Sequence, residues 1–547
     1  MRGTQEPRTG PPGRRSLAMD FGPPAGRNEP SCSAVRPGSR RAPAGWLSPE
    51  LRPLCLRIER TIHVFRSIAI RSGLVLLGWT VADTPARTQS RQSPPTRHLQ
   101  AQSAQRDGQT GRRARRGTTD TFHTEVPRRP FDIVLGDPTG SSITVSIAAY
   151  SPLEGYFEYG DNSRDYGERT EIVRLEPDVP AEVKLTGLHP NIRYFYRWNG
   201  RVAATDAFEA SDEYSFRTGR AQGDAFVFTV QADSHLDGRT DTRLYEATLR
   251  NAKAAGPDFH IDLGDTFMTG KRRPDYEDAL PQYAAQRYYF GLIGTTAPVF
   301  LVSGNHDGEG LASGAMGEWA RERRDAFFAT PTDGVSDRGN YYSWEWGDAL
   351  FVALDPYWES QRVRRGGDYW ARTLGERQFR WLARNLRSTR ARFKFVFVHH
   401  LVGGVNQAAR GGAAAAGLFE WGGRSLNGEY QFGERRPGWG KPIHQMLVDA
   451  GVDIVFHGHD HVFAREELDG VTYLLVPQPG LDRYGAPRDI EGLYEHAEVV
   501  GGPGHVRVTV SPEAAFVELV QSRLDGAEDG HTAYSFRVRP GPTGERQ

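Results

Sequence analysis

Five short apolar runs, each ending in a cluster of Asp, Asn or His, constrain this chain more than any other feature. Ala225–Gln231 (AFVFTVQ) leads into Asp233-Ser234-His235, and Phe259–Leu263 leads into Gly264-Asp265. Val299–Val302 is followed by Gly304-Asn305-His306-Asp307. Phe393–Val398 ends at His399-His400, and Val452–Phe456 ends at His457-Gly458-His459-Asp460-His461. Runs this short, rich in aromatic and β-branched residues, read as buried strands rather than helices. Helical spacing appears between them at Thr240–Ala255, Asp275–Leu292, Glu376–Arg387 and Ile443–Ala450, with a further strand at Leu350–Leu354. Strands alternating with helices predict a layered α/β domain, whose ligands gather at the C-terminal ends of the strands. Later β segments, Thr472–Val476, His505–Val510, Ala515–Gln521 and Tyr534–Val538, predict a second sheet packed on the first.

Upstream, residues 127–219 hold several short alternating segments separated by turn residues, the pattern of a small all-β sandwich. Leu185-Thr186-Gly187-Leu188-His189-Pro190, shortly before Tyr194, resembles the late-strand signature of fibronectin type III-like domains. Residues 1–126 have no sustained period and are expected to form a disordered basic leader. Within it Ser72–Ala82 is an apolar run of signal-peptide length, so residues 64–86 form a possible signal segment. Arg14-Arg15 resembles a twin-arginine signal only weakly, as no apolar core follows it directly. Export to the periplasm or outside the cell is one expectation. A cytoplasmic protein with a long leader is the other.

Of the 547 residues, the first 120 carry 21 Arg, no Lys and eight acidic residues, while the whole chain is neutral. The remainder is therefore acidic by 13 charges. An acidic body argues against a surface that grips nucleic acid through its phosphates. The only cysteines, Cys32 and Cys55, exclude a disulfide scaffold and a thiolate-held zinc in the body. No apolar run reaches the roughly 18 residues of a membrane span.

Taken singly, the five strand-end clusters are ordinary turns. Taken in order, they supply two carboxylates, one amide oxygen and four imidazoles. That oxygen and nitrogen set suits two divalent cations. The order resembles the calcineurin-like metallophosphoesterase superfamily, and with the sandwich in front it is similar to purple acid phosphatases. The resemblance covers about Ala225–His461 and implies a four-layer α/β/β/α sandwich. It implies that Asp233, His235 and His461 hold one metal, that Asn305, His399 and His459 hold the other, and that Asp265 bridges them. His399 is taken before His400 because the family's ligand comes first in that pair. The metals implied are Fe, Mn or Zn. His306 would contact the phosphoryl group and protonate the leaving oxygen, and Asp307 would orient His306. The reaction implied is hydrolysis of a phosphate mono- or diester by a hydroxide bridging the metals. Two departures stand out: Met268 occupies the place of a metal-binding Tyr, and His235 is a ligand purple acid phosphatases usually lack.

The Gly- and Ala-rich insert Gly403–Gly440 falls between the fourth and fifth clusters, which places its ends near the metals. Arg410 is its candidate phosphate clamp, and His400 is a second candidate substrate contact. Trp421 is a candidate wall for the leaving group, whereas Tyr357, Trp358 and Trp370 read as packing residues. A nuclease of the same superfamily and a non-catalytic surface-binding protein are the alternative functions. A small-molecule phosphate ester is the expected partner.

Overall fold

The computed structural model describes residues 121–540, save 203–206, 333–339, 365, 404–410, 486–493, 495 and 527. Residues 1–120 of the basic leader, with its apolar run, and Arg410 lie outside the described residues. The last leader residues, 121–126, are not disordered as expected: Phe122 bridges Asp237, and the His123 N–H donates to the Leu236 carbonyl at 2.7 Å. Among the described residues, no helix is long and apolar enough to cross a membrane.

Alternation along the strands builds two sheets with a shared core. In Phe393–Phe397 the three phenylalanines face one way and pack with Phe228, Phe351 and Phe456 between the sheets. Val396 faces the other way, onto a helical layer. The large rings fill the inter-sheet gap: Phe397 stacks on Phe456 at 4.9 Å, and Phe228 meets Phe351 edge-on at 5.2 Å. Each fully buried phenylalanine contributes roughly 1.5–3 kcal/mol through removal from water.

The first sheet runs, in spatial order, Val299–Leu301, Phe259–Asp262, Phe226–Gln231, Gly504–Val510, Ala515–Gln521 and Thr532–Val538. Its first three strands are parallel and the rest pair antiparallel. The second runs Tyr342–Trp346, Ala349–Ala353, Phe393–Phe397, Ile454–His457, Val471–Leu475, Phe463–Leu468 and Glu498–Val500, parallel at its centre. Helices Gly375–Ser388 and Ile443–Ala450 bury Phe379, Leu382, Leu386 and Leu447 against the outer face of the second sheet. Helices Thr242–Ala254 and Leu280–Gly294 pack together through Tyr245, Leu249, Tyr289 and Ile293, with Tyr245 hydrogen-bonded to Gln231 of the first sheet. The result is a four-layer α/β/β/α sandwich, in which parallel strands of both sheets end at one rim.

Differences from the sequence reading are local. The helix expected over Asp275–Leu292 opens as a tight turn at Tyr276–Ala279 and becomes α-helical at Leu280, with Pro281 in the first turn, where its missing N–H costs nothing. Strands Tyr342–Trp346 and Phe463–Leu468 and helix Ala315–Phe327 were not anticipated. The helix's buried face, Met316, Gly317, Ala320, Arg324 and Phe327, has helical spacing but includes a glycine and an arginine, so no apolar period shows in the sequence.

The small β region has one sheet of Phe131–Gly136, Ser142–Ala149 and Ala181–Thr186, and a second built on Leu153–Gly160 and Arg193–Val202. Ile143, Val145, Ile147, Phe157, Tyr196 and Trp198 form its core. The Tyr194 hydroxyl accepts a hydrogen bond from the His189 N–H at 2.9 Å, tying the Gly187–Pro190 turn to the strand that follows it. Arg287, wholly buried in helix Leu280–Gly294, reaches into this region. Its Nε donates to Asp132 Oδ1 at 2.6 Å and its Nη1 to Ser146 Oγ at 2.9 Å.

Candidate metal centre

Loops leaving the parallel strands bring Asp233, His235, Asp265, Asn305, His399, His459 and His461 to one place. Two groups form, Asp233 with His235 and His461, and Asp265 with His399 and His459. Within each group, one possible ligand atom per residue lies within 4.8 Å of the others. Asp265 joins them: its Oδ2 is 3.3 Å from His399 Nε2 in its own group and 3.9 Å from His235 Nε2 in the other. Asn305 Oδ1 is 3.1 Å from His399 Nε2, so its amide oxygen faces the same spot.

The backbone bends sharply to achieve this. Asp233, His235, Asp265, His459 and His461 all have φ between 45° and 81°, the left-handed region that side chains with a Cβ rarely occupy. Two glycines permit the close approach. A Cβ on Gly304 would fall 2.0 Å from the Asp265 nitrogen, and one on Gly458 would fall 2.9 Å from Asp233 Oδ2. The loops also brace each other: the His459 N–H donates to Asp233 Oδ2 at 2.8 Å, and the His306 N–H to Asp265 Oδ1 at 2.6 Å.

These side chains suit cations. Asp233 Oδ1 and His235 Nε2 are buried and have no hydrogen-bond partner among the described residues. Polar atoms left like this cost free energy unless something meets them, and a cation would. Outer contacts aim the rings. His399 Nδ1 lies 2.9 Å from the Leu263 carbonyl and His235 Nδ1 lies 3.3 Å from Asp237 Oδ2, leaving each Nε2 turned inward. Burial alone would raise Asp233 and Asp265. The surrounding imidazoles, His461 first for Asp233 and His399 first for Asp265, outweigh it and hold both carboxylates low. Burial likewise opposes the charged form of His235 and His399. Asp233 and Asp237 nonetheless push His235 up to about 9, and Asp265 pushes His399 up to about 10. Burial takes His461 down to about 4.

The family model for the calcineurin-like phosphoesterases matches residues 226–463, the stretch that carries every one of these ligand positions. Residues 226–463 are a calcineurin-like phosphoesterase domain. The phosphoesterase domain and the sandwich before it together share a fold with PhoD, at 14% identity and a TM-score of 0.53 over 75% of this chain and 88% of that one. They share it also with purple acid phosphatase PPD1 from yellow lupin (Lupinus luteus) seeds, at 16% identity and a TM-score of 0.51 over 74% of each chain. The architecture is therefore that of the purple acid phosphatases. No curated protein matches the sequence.

The remaining site residues divide by environment. The His306 side chain is 31% exposed, with Nε2 3.9 Å from Asp265 Oδ2, at the open side of the ligand cluster. Burial keeps its pKa below the ordinary imidazole value despite Asp265. Asp307 does not orient His306 in the way expected. Its Oδ1 accepts the N–H groups of Thr266 and Phe267, and its Oδ2 those of Asp265 and Gly304, all at 2.7–3.0 Å. That carboxylate clamps the Gly264-Asp265 loop to the Gly304–Asp307 loop. His400 is buried, its ring centre 5.1 Å from Tyr357 and 5.2 Å from His459, and burial lowers it to about 3. Arg410 and Asn406 are outside the described residues.

Trp421 is no wall for a leaving group. It is fully buried and donates from Nε1 to the Tyr473 hydroxyl at 3.0 Å, fastening the insert to the core. Arg436 is likewise committed, its Nε 2.6 Å from Glu420. Two residues near the centre escaped the sequence reading. Asp237 lies two positions past His235, and that short spacing could have marked it as the carboxylate behind the ring. Tyr357 was read as packing, yet it lines the cleft beside His306.

Proposed function

We propose that this protein is a metal-dependent phosphoric ester hydrolase whose centre holds two metal ions, of Fe, Mn or Zn. The observation that carries the reading is the paired ligand group with Asp265 Oδ2 between the two halves. Asp233, His235 and His461 would hold one ion, and Asn305, His399 and His459 the other. When bound, such ions supply acidified water and neutralise charge on phosphoryl oxygens. The chain does the rest. Asp265 ties the two halves together, and its backbone bond from His306 keeps the His306 loop in register with the centre. His306 Nε2, on the open side, is placed to hold the proton that the leaving alkoxide takes. Reaction in two chemical stages is unnecessary, because no side-chain nucleophile is required.

Purified protein should retain about two equivalents of metal and hydrolyse 4-nitrophenyl phosphate. Asp265→Asn should lower the affinity of both halves together and abolish turnover. Full activity in that variant, or loss of a single equivalent of metal, would sink the shared-carboxylate assignment.

A further inference from the structure

A cleft of about 330 Å³ opens beside the metal centre, with Asn305 and His306 in its lining. A pocket of this size holds a small leaving alcohol rather than a phosphate alone. Its other walls include Arg273, Arg362, Arg372 and Tyr357. The one acidic residue in the lining, Glu309, is buried and paired with Arg324 at 3.4 Å. Arg273 donates only to neutral partners, Ser313 Oγ at 3.1 Å and the Met316 sulfur at 3.3 Å. Among the described residues, no carboxylate pairs with Arg273, Arg362 or Arg372. Three uncompensated guanidinium groups around one cleft make a field that favours an anion.

Two buried donors also lack partners. Tyr357 is 7% exposed, and its hydroxyl has no hydrogen-bond partner among the described residues. Arg372 Nε is buried and equally unmet. Such donors cost free energy until an acceptor reaches them. The metal ligands and His306 already account for the phosphoryl group under attack, so the cleft has donors to spare for another.

We propose that this cleft receives a second phosphate carried by the leaving alcohol, so that the preferred substrates are bisphosphates rather than simple monoesters. The inference rests on the hydrolase reading above. Arg362 and Arg372 grip the second phosphate, Arg273 adds charge at the exposed end, and the Tyr357 hydroxyl donates to the leaving group's side of the cleft.

The test compares phenyl phosphate with 3-(phosphonooxy)phenyl phosphate on Mn-loaded full-length protein. The bisphosphate should show a kcat/KM at least about tenfold higher per ester group, chiefly through KM, the scale of one or two charge-assisted contacts. Arg362→Gln, at an exposed position where folding is not at stake, should cut that preference several-fold, and Arg372→Gln should cut it further. Arg364→Gln, outside the lining, serves as the surface-charge control and should keep the preference. Equal kcat/KM for the two esters in the wild type, or a preference that survives both Arg362→Gln and Arg372→Gln, would overturn the inference. Should neither ester turn over, the hydrolase reading fails separately, and calorimetric titration with methylenebisphosphonate and methylphosphonate makes the same comparison. Tighter, arginine-dependent binding of the bisphosphonate supports the cleft assignment. Equal binding of the two overturns it.

Discussion

His306 stands apart from His235 and His399 because its side chain is 31% exposed, whereas theirs are 2% and 0%. A group held there can exchange its proton with solvent directly. His306→Ala should therefore leave metal content intact and lower turnover by about 10²–10⁴-fold, the range for loss of a general acid. The loss should shrink for esters with acidic leaving alcohols, which depart without help. A uniform loss across leaving groups, read from a series of substituted phenyl phosphates, would assign His306 to phosphate positioning instead. His235 and His399 behave differently. Both are held protonated above the usual imidazole range by Asp233, Asp237 and Asp265, so each must release a proton before its Nε2 can meet a cation. Metal affinity should accordingly fall as the pH drops, and loading near neutral pH should release protons into a weak buffer. Absence of proton release on loading would show both rings neutral beforehand. His461, already low, adds nothing to this release.

At the scale of elements, the centre depends on how loops are fastened to strands. Asp307 collects four backbone N–H groups from two loops that belong to neighbouring parallel strands, Phe259–Asp262 and Val299–Leu301. Asp307→Ala strands all four donors in a buried place, at a cost on the order of 4 kcal/mol. Metal retention and thermal stability should fall together, whereas a residue that merely aimed His306 would change turnover alone. Asp307→Asn, which keeps an acceptor oxygen, should recover part of both. Thermal unfolding with parallel metal analysis separates these outcomes. The same scale explains what could be seen beforehand. Asp233, Asp265 and His399 were legible because each follows an apolar run directly, and strand ends converge wherever parallel strands share a sheet. Tyr357 was not, because it follows Ala349–Ala353 by several residues and reaches the cleft only through the neighbouring order of that strand and Phe393–Phe397. Trp421 misled for a related reason: a tryptophan amid glycines reads as exposed, and nothing in its neighbourhood announces Tyr473 as its partner. Helix Ala315–Phe327 hid because a glycine and an arginine interrupt its buried face.

Across the molecule, one side chain links the sandwich to the phosphoesterase domain from within. Arg287 is fully buried, with Asp132 and Ser146 on the sandwich side, and Tyr196 adds a hydrogen bond to the Thr295 carbonyl at 2.8 Å. Removing a buried partner from such a pair typically costs about 3–5 kcal/mol. The lower end applies here, since Arg129 still pairs with the other Asp132 oxygen at 2.7 Å. Arg287→Ala should thus lower the unfolding free energy by about 3 kcal/mol. Arg287→Lys should restore little, because a lysine lacks the planar fork that meets Asp132 and Ser146 at once. Denaturant titration decides it, and a change under about 1 kcal/mol would show that the two regions hold together without this residue.

Five residues of the centre, none of them glycine, keep a left-handed backbone. At about 1 kcal/mol each, these conformations together cost about 5 kcal/mol, comparable with the whole net stability of many domains. Glycine at any of the five would relieve that burden without disturbing the strands behind it. A chain selected for endurance alone would have drifted that way, and this one carries aspartate and histidine at every such position. The protein is thus less durable than its own scaffold allows, and the shortfall is concentrated at the rim where its chemistry is proposed to occur.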